Sequence, residues 1–141
     1  MVINEHVWGL HLVDRGDDVI VTEGELDALM LRQQGWPTAC SLAGSKIYPR
    51  QVELLASRAA SVTLWFDSDV AGIAGMYDAA TRLSRLVPTR VVMPHPTDPA
   101  SSTQEQNQEL LDTAIGAVQA LSKTVEVNPF QTYEEDSDEW I

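Results

Sequence analysis

One cysteine, Cys40, stands in 141 residues. No internal disulfide can form, which fits a reducing compartment. A lone thiol in an apolar stretch reads as a small core residue rather than a nucleophile. No apolar run is long enough for a transmembrane helix, so no membrane partner is expected. The N-terminus lacks the basic start and apolar stretch of a secretory signal. These absences predict a cytoplasmic protein. Positive charge is scarce as well. Nine lysines and arginines stand against 21 acidic residues, for a net charge of −12. Bulk attraction to nucleic acid needs clustered Lys and Arg. If this chain handles nucleic acid, metal ions or a basic partner must supply the positive charge. No Ser–His–Asp, Cys–His or zinc-ligand spacing is present.

What is present is alternation. The length fits one domain, and at 44% hydrophobic the chain can bury a core. Residues 1–16 read as a leading segment. Short apolar runs at 18–22, 37–42, 62–66 and 90–93 read as strands. Between them, 25–35, 49–60 and 71–86 carry helical spacing. In the first helix Leu26, Leu29 and Met30 form the expected apolar face, and Gly35 suits its stop. Pro49 suits the first position of the second. Residues 103–123 predict one further helix, with Leu111, Ala114, Ile115, Val118 and Leu121 repeating. The strands are unbroken apolar runs, which indicates burial on both faces. The fold class is therefore α/β, a four-stranded parallel sheet flanked by helices over residues 17–123. Residues 124–141 read as an acidic, disordered tail. Tyr133, Trp140 and Ile141 flank its charges and leave a second reading open, a docking tail.

In open parallel sheets, ligands bind beyond the carboxyl ends of the strands. Three strand exits here carry acids: Glu23, Glu25 and Asp27; Asp67 and Asp69; and Asp98. Two carboxylates at about 4 Å repel by ~4 kcal/mol at an effective dielectric near 20. Either one takes a proton or a cation sits between them. Hard oxygen ligands favour magnesium or manganese. Other roles stay open for the same residues. Glu25 and Asp27 suit a helix's first turn, and Asp67 or Asp69 suits a helix cap. Gly24 and Gly72 let backbone approach a ligand or loop closely. Gly44, Ser45 and Lys46 form a loop at the second exit where a phosphate could be gripped. His6, His11 and His95 read as surface or structural, although His95 near Asp98 also suits a phosphate contact. Met30, Met76 and Met93 read as core, and Trp65 as packing beneath the acidic edge.

The stretches VTEGELDAL (21–29) and FDSDVAGIAGMYDA (66–79), with CSLAGS (40–45) between them, resemble the TOPRIM domain. That metal-binding fold is shared by primases, type IA and type II topoisomerases and certain nucleases. The resemblance covers about residues 7–112 and is strongest to bacterial and phage primases and primase-helicases. It implies that Glu23 is a general acid/base or metal ligand, and that Asp67 and Asp69 hold magnesium. It implies a supporting role for Asp27, and it matches Asp98 to the acidic loop after the fourth strand. Two departures stand out. Ile73 occupies a position where primases carry a basic residue, and His95-Pro96-Thr97 replaces the basic residue before the D-P loop. The zinc module and basic subdomain of primases find no counterpart in these residues.

The expected function is a magnesium-dependent primase catalytic domain, active on nucleotides in a bacterial cell or phage-infected host. Single-stranded DNA would be gripped through a partner, a primase/helicase or other replication protein. The other readings are a TOPRIM-type nuclease and a non-catalytic module docking a replication or host protein.

Overall fold

The computed structural model describes residues 5–127, with side chains through residue 122. A 3-10 turn at Leu10–Leu12 leads into β1 (Asp18–Thr22), α1 (Glu25–Gln33), β2 (Ala39–Ser41), α2 (Pro49–Arg58) and β3 (Ser61–Trp65). Then follow α3 (Val70–Leu83), β4 (Thr89–Val91), a 3-10 turn at Pro99–Ser101, α4 (Gln104–Asp112), β5 (Ile115–Gly116) and α5 (Ala117–Val127). The sheet order is β2-β1-β3-β4-β5. The first four strands are mutually parallel, as the apolar runs imply. β5 is an addition and runs antiparallel to β4, with Val91 opposite Ile115 and Arg90 opposite Gly116.

Both faces of the sheet are covered, so alternate strand residues enter different cores. Val19, Val21, Val62 and Leu64 meet Leu55, Met76, Ala79 and Leu83 on one face. Ile20 and Trp65 meet Ala28 and Leu31 on the other. Trp65 therefore packs close under the strand exits. Cys40 is buried in the first core, and burial pushes its thiol up to about 11, which leaves it unreactive.

Two helical expectations need correction. The apolar face of α1 is Ala28 and Leu31, while Leu26 is 67% exposed and Leu29 43% exposed. Ala28 and Leu31 are fully buried in the cluster with Ile20, Ala39 and Trp65. The predicted helix over 103–123 is interrupted at Thr113–Gly116. The amides of Thr113 and Ala114 bond back to Leu110 and Leu111 carbonyls, tightening the last turn of α4. Ile115 and Gly116, both weaker helix formers than their neighbours, then cover the free edge of β4.

The leading segment is built into the molecule. Val7, Leu10 and Val13 are buried in the first core. Trp8 pairs with Ser41 through two backbone bonds of 2.8 and 3.1 Å, which covers the edge of β2. The fully buried Gln51 donates to the His6 and Leu42 carbonyls at 2.8 and 3.2 Å. Arg32 donates to the Ala39 and Gly9 carbonyls at 2.7 and 3.0 Å. Among the described residues no helix is long and apolar enough to cross a membrane. The acidic tail reading falls on residues 128–141, outside the described residues, while 124–127 continue α5.

Candidate metal centre at the switch point of the sheet

From β1 the chain crosses to β2 on one side and returns to place β3 on the other. The β1/β3 boundary is thus the topological switch point, where a crevice opens beyond the strand ends. Thr22 pairs with Trp65 at that end of the ladder. One residue past Thr22 is Glu23, and two past Trp65 is Asp67. Glu23 Oε1 accepts the Asp67 backbone N–H at 3.1 Å. Two motifs 44 residues apart in sequence are joined by this bond.

The backbone under Glu23 is held by hydroxyls that sequence reading missed. Ser41 Oγ and the Gly44 N–H both donate to the Glu23 carbonyl at 2.9 Å. Thr22 Oγ1 donates to the Gly24 carbonyl at 2.9 Å. Both hydroxyl residues are fully buried. The available signal is a Thr or Ser closing each of two adjacent apolar strands.

Asp69 caps α3, accepting the Gly72 N–H on Oδ1 at 2.7 Å. The residue itself is exposed. A Cβ on Gly72 would overlap the Asp67 carbonyl and stand 2.5 Å from Glu23 Oε1. Glycine there is what lets α3 start against both acids. At Gly24 a Cβ would meet only Asp27 Oδ2 at 3.8 Å, an ordinary contact. Asp27 Oδ1 accepts the Ala100 N–H at 3.0 Å, and Asp98 Oδ1 accepts the Ser101 N–H at 2.9 Å. Asp67, Ser68, Asp69, His95, Thr97 and Asp98 line a cleft of about 200 Å³, with Phe66 and Pro96 completing it. Ser45 and Lys46 do not line it. The Ser45 carbonyl packs on Gly75, and Lys46 Nζ lies 5.2 Å from the Tyr48 ring centre. His95 Nδ1 is engaged by Thr97, whose hydroxyl is at 2.8 Å.

The Toprim-like family model matches residues 20–103, more than half of the 141-residue chain. The chain belongs to the Toprim-like family. A DNA primase of Helicobacter pylori (strain ATCC 700392 / 26695) is 32% identical to it over 83 residues. That stretch is 56% of this chain and 15% of the primase, so the Toprim-like chain spans only a small part of the curated relatives it matches. A DNA primase domain from Pseudomonas aeruginosa superposes with a TM-score of 0.78 at 19% identity, covering 90% of this chain and 44% of that one. A DnaG primase catalytic domain bound to ssDNA gives 0.76 at 19% identity, covering 89% and 44%. At such identities the solved structures speak to the Toprim fold.

In this Toprim-like domain the acids act on one another. Burial, and next the charge of Asp67, pushes Glu23 up from 4.5 to about 7, and Asp69 and Asp27 add to the rise. Burial likewise raises Asp67, helped by Asp69 and Asp98. Asp27 is raised by burial, then by Asp98 and Asp67. Among the described residues no three acids, histidines or cysteines stand close enough to hold an ion unaided. Magnesium does not require that, since it typically takes one or two carboxylates, keeps waters and is completed by substrate phosphates. An all-oxygen donor set with excess negative charge fits such a hard cation.

The raised acids give a pH dependence of definite sign. Between about 4.5 and about 7 the folded protein binds more protons at Glu23 than the unfolded chain does. Stability without divalent ions therefore falls as pH rises through that window and levels above it. Thermal melts should show a lower Tm at pH 7.5 than at pH 5, with the slope flattened by Glu23→Gln. A Tm that rises across the window in the wild type and not in the variant contradicts the assignment.

Proposed function

We propose that this chain is the catalytic, magnesium- or manganese-dependent part of a bacterial or phage-like DNA primase, joining ribonucleotides on single-stranded DNA. The observation that carries the reading is the Glu23 to Asp67 contact at the β1/β3 switch point, with Asp69 and Asp98 on the adjoining cleft. The 32% identity to a primase over 83 residues supports it. Asp67 and Asp69 would hold the cation, with Asp98 lining the same cleft. A divalent ion bound there supplies the positive charge that nucleotide phosphates and a leaving pyrophosphate need. Glu23, titrating near neutral pH, is suited to take or give a proton at the switch point. Asp69 fixes the start of α3, and Gly72 leaves the space into which Glu23 reaches.

Among the described residues, no lysine or arginine lines the cleft. Template grip therefore belongs to a partner, a primase/helicase or another replication protein, in the cytoplasm of the cell or infected host. Residues 17–123 would form the Toprim unit, with 1–16 as its leading segment. The test is primer synthesis from ribonucleotides on single-stranded DNA, with magnesium or manganese. It is run with and without the zinc-binding and template-binding parts of a primase. Product only in the mixture is the expected result, and no product with metal demonstrably bound overturns it. The same lack of basic side chains favours a second reading, a non-catalytic module docking a replication or host protein. Calorimetry separates the two, because absence of binding at millimolar manganese favours the module. Metal-dependent plasmid nicking without primer synthesis would instead identify a Toprim nuclease.

A further inference from the structure

Asp27 has one carboxylate oxygen engaged by a backbone N–H and is not among the residues lining the cleft. Its partner, Ala100, sits inside the 3-10 turn that follows Asp98. Seven residues further on, at the C-cap of the same helix, Gln34 Nε2 donates to the Ser102 carbonyl at 2.9 Å. Residues seven apart share a helix face, roughly 10 Å apart along the axis. From the other side, Asn107 of α4 donates through Nδ2 to Gln34 Oε1 at 2.6 Å and to the Pro99 carbonyl at 3.2 Å. Asn107 is fully buried, and its Oδ1 has no partner among the described residues. A buried orphan acceptor is unfavourable, so the two bonds its amide makes hold it there at a cost. Within the turn, Ser102 Oγ donates to the Asp98 carbonyl and the Ser101 N–H to Asp98 Oδ1, both at 2.9 Å.

We infer that Asp27 is a positioning residue, clamping with Gln34 and Asn107 the turn that sets where Asp98 stands at the cleft. Helix α1 begins two residues after Glu23 and is gripped by the turn at both its ends. It thus ties the placement of Asp98 to that of Glu23. The clamp's link to metal rests on the metal-centre reading; its effect on the turn does not. What Ala100 needs is an oxygen acceptor, which asparagine also offers, so charge is not the requirement.

The experiment compares Asp27→Asn, Asp27→Ala and Asn107→Ala in the full chain. Amide exchange at Ala100 is read by NMR, and manganese binding by calorimetry. Asp27→Ala is expected to speed Ala100 exchange at least ~10-fold and weaken manganese about 10- to 100-fold, the usual effect of losing an outer-sphere partner. Asp27→Asn restores most of both. Asn107→Ala removes no charge and reproduces the loosening of the turn, which keeps the test alive if Asp27→Ala fails to fold. Equal losses of manganese affinity in Asp27→Asn and Asp27→Ala, with Ala100 still protected in both, overturn the clamp and make Asp27 a ligand or bulk charge. A wild type that binds no manganese sinks the metal-centre reading, and Ala100 exchange alone then judges the clamp.

Discussion

Asp67→Asn combined with Asp69→Asn is expected to weaken manganese binding by more than ~100-fold and to lower partner-complemented primer synthesis by about 10²–10³-fold or more, the scale of losing one preorganised charge-stabilising group. The replacements are close to isosteric, so the loss is one of charge. At position 69 the substituted amide keeps an oxygen for the Gly72 N–H, and asparagine caps helices as well as aspartate does. At position 67 the bond to Glu23 comes from the backbone N–H, which survives substitution of the side chain. The sheet and the start of α3 should therefore be unchanged in the variant. A second readout needs no metal. The charges of Asp67 and Asp69 both help push Glu23 up, so the double variant brings Glu23 back toward the ordinary carboxylate range. NMR titration of the Glu23 carboxyl carbon measures this. Manganese affinity and primer yield equal to wild type would refute the metal centre. A Glu23 titration that stays near 7 would refute the coupling between the acids.

The placement of that coupling depends on strand order, and strand order is where sequence reading stops. The four parallel strands are legible, because each is an unbroken apolar run sandwiched between helices. Acids at three strand exits are legible for the same reason. That Glu23 and Asp67 touch, while the Asp98 loop comes in over β4, follows only from β1 lying between β2 and β3. Asp69 shows two roles falling on one residue, since it both caps α3 and lines the cleft. The break at Thr113–Gly116 is hidden because Leu111, Ala114, Ile115 and Val118 keep helical spacing across it. What decides there is the unpaired edge of β4, a tertiary fact. The face of α1 misleads in another way. Leucines carry more weight than alanine in any apolar count, yet Ala28, not Leu26 or Leu29, enters the core. Thr22 and Ser41 escape notice because polar residues at strand ends usually mark only the turn to come. Their hydroxyls instead bond the carbonyls of Gly24 and Glu23 and fix the first acidic motif.

Gly72→Ala reverses the usual sign of its substitution. In a helix, alanine is favoured over glycine by about 1 kcal/mol, so the change ordinarily stabilises. Here the new methyl would overlap the Asp67 carbonyl oxygen and stand 2.9 Å from its carbon. It would also stand 2.5 Å from Glu23 Oε1, a distance at which something must move. The carboxylate could swing aside, but the Asp67 carbonyl belongs to the backbone leaving β3 and has little freedom. Relief then requires α3 to shift off the switch point, against the packing of Met76, Ala79 and Leu83 in the core. The expected loss is about 3 kcal/mol or more, at the upper end of overpacking costs. Manganese affinity should fall with it, because the shift carries Asp69 away from Asp67. Gly24→Ala is the matched control, lying beside the same acids with only an ordinary contact to meet. It should change Tm little. Urea melts of the two variants decide the matter: if Gly72→Ala is as stable as wild type, α3 does not start against the acids as closely as the Glu23 to Asp67 contact requires. The cleft would then be a looser feature than a hard cation demands, so this one methyl group tests the fold and the metal centre together.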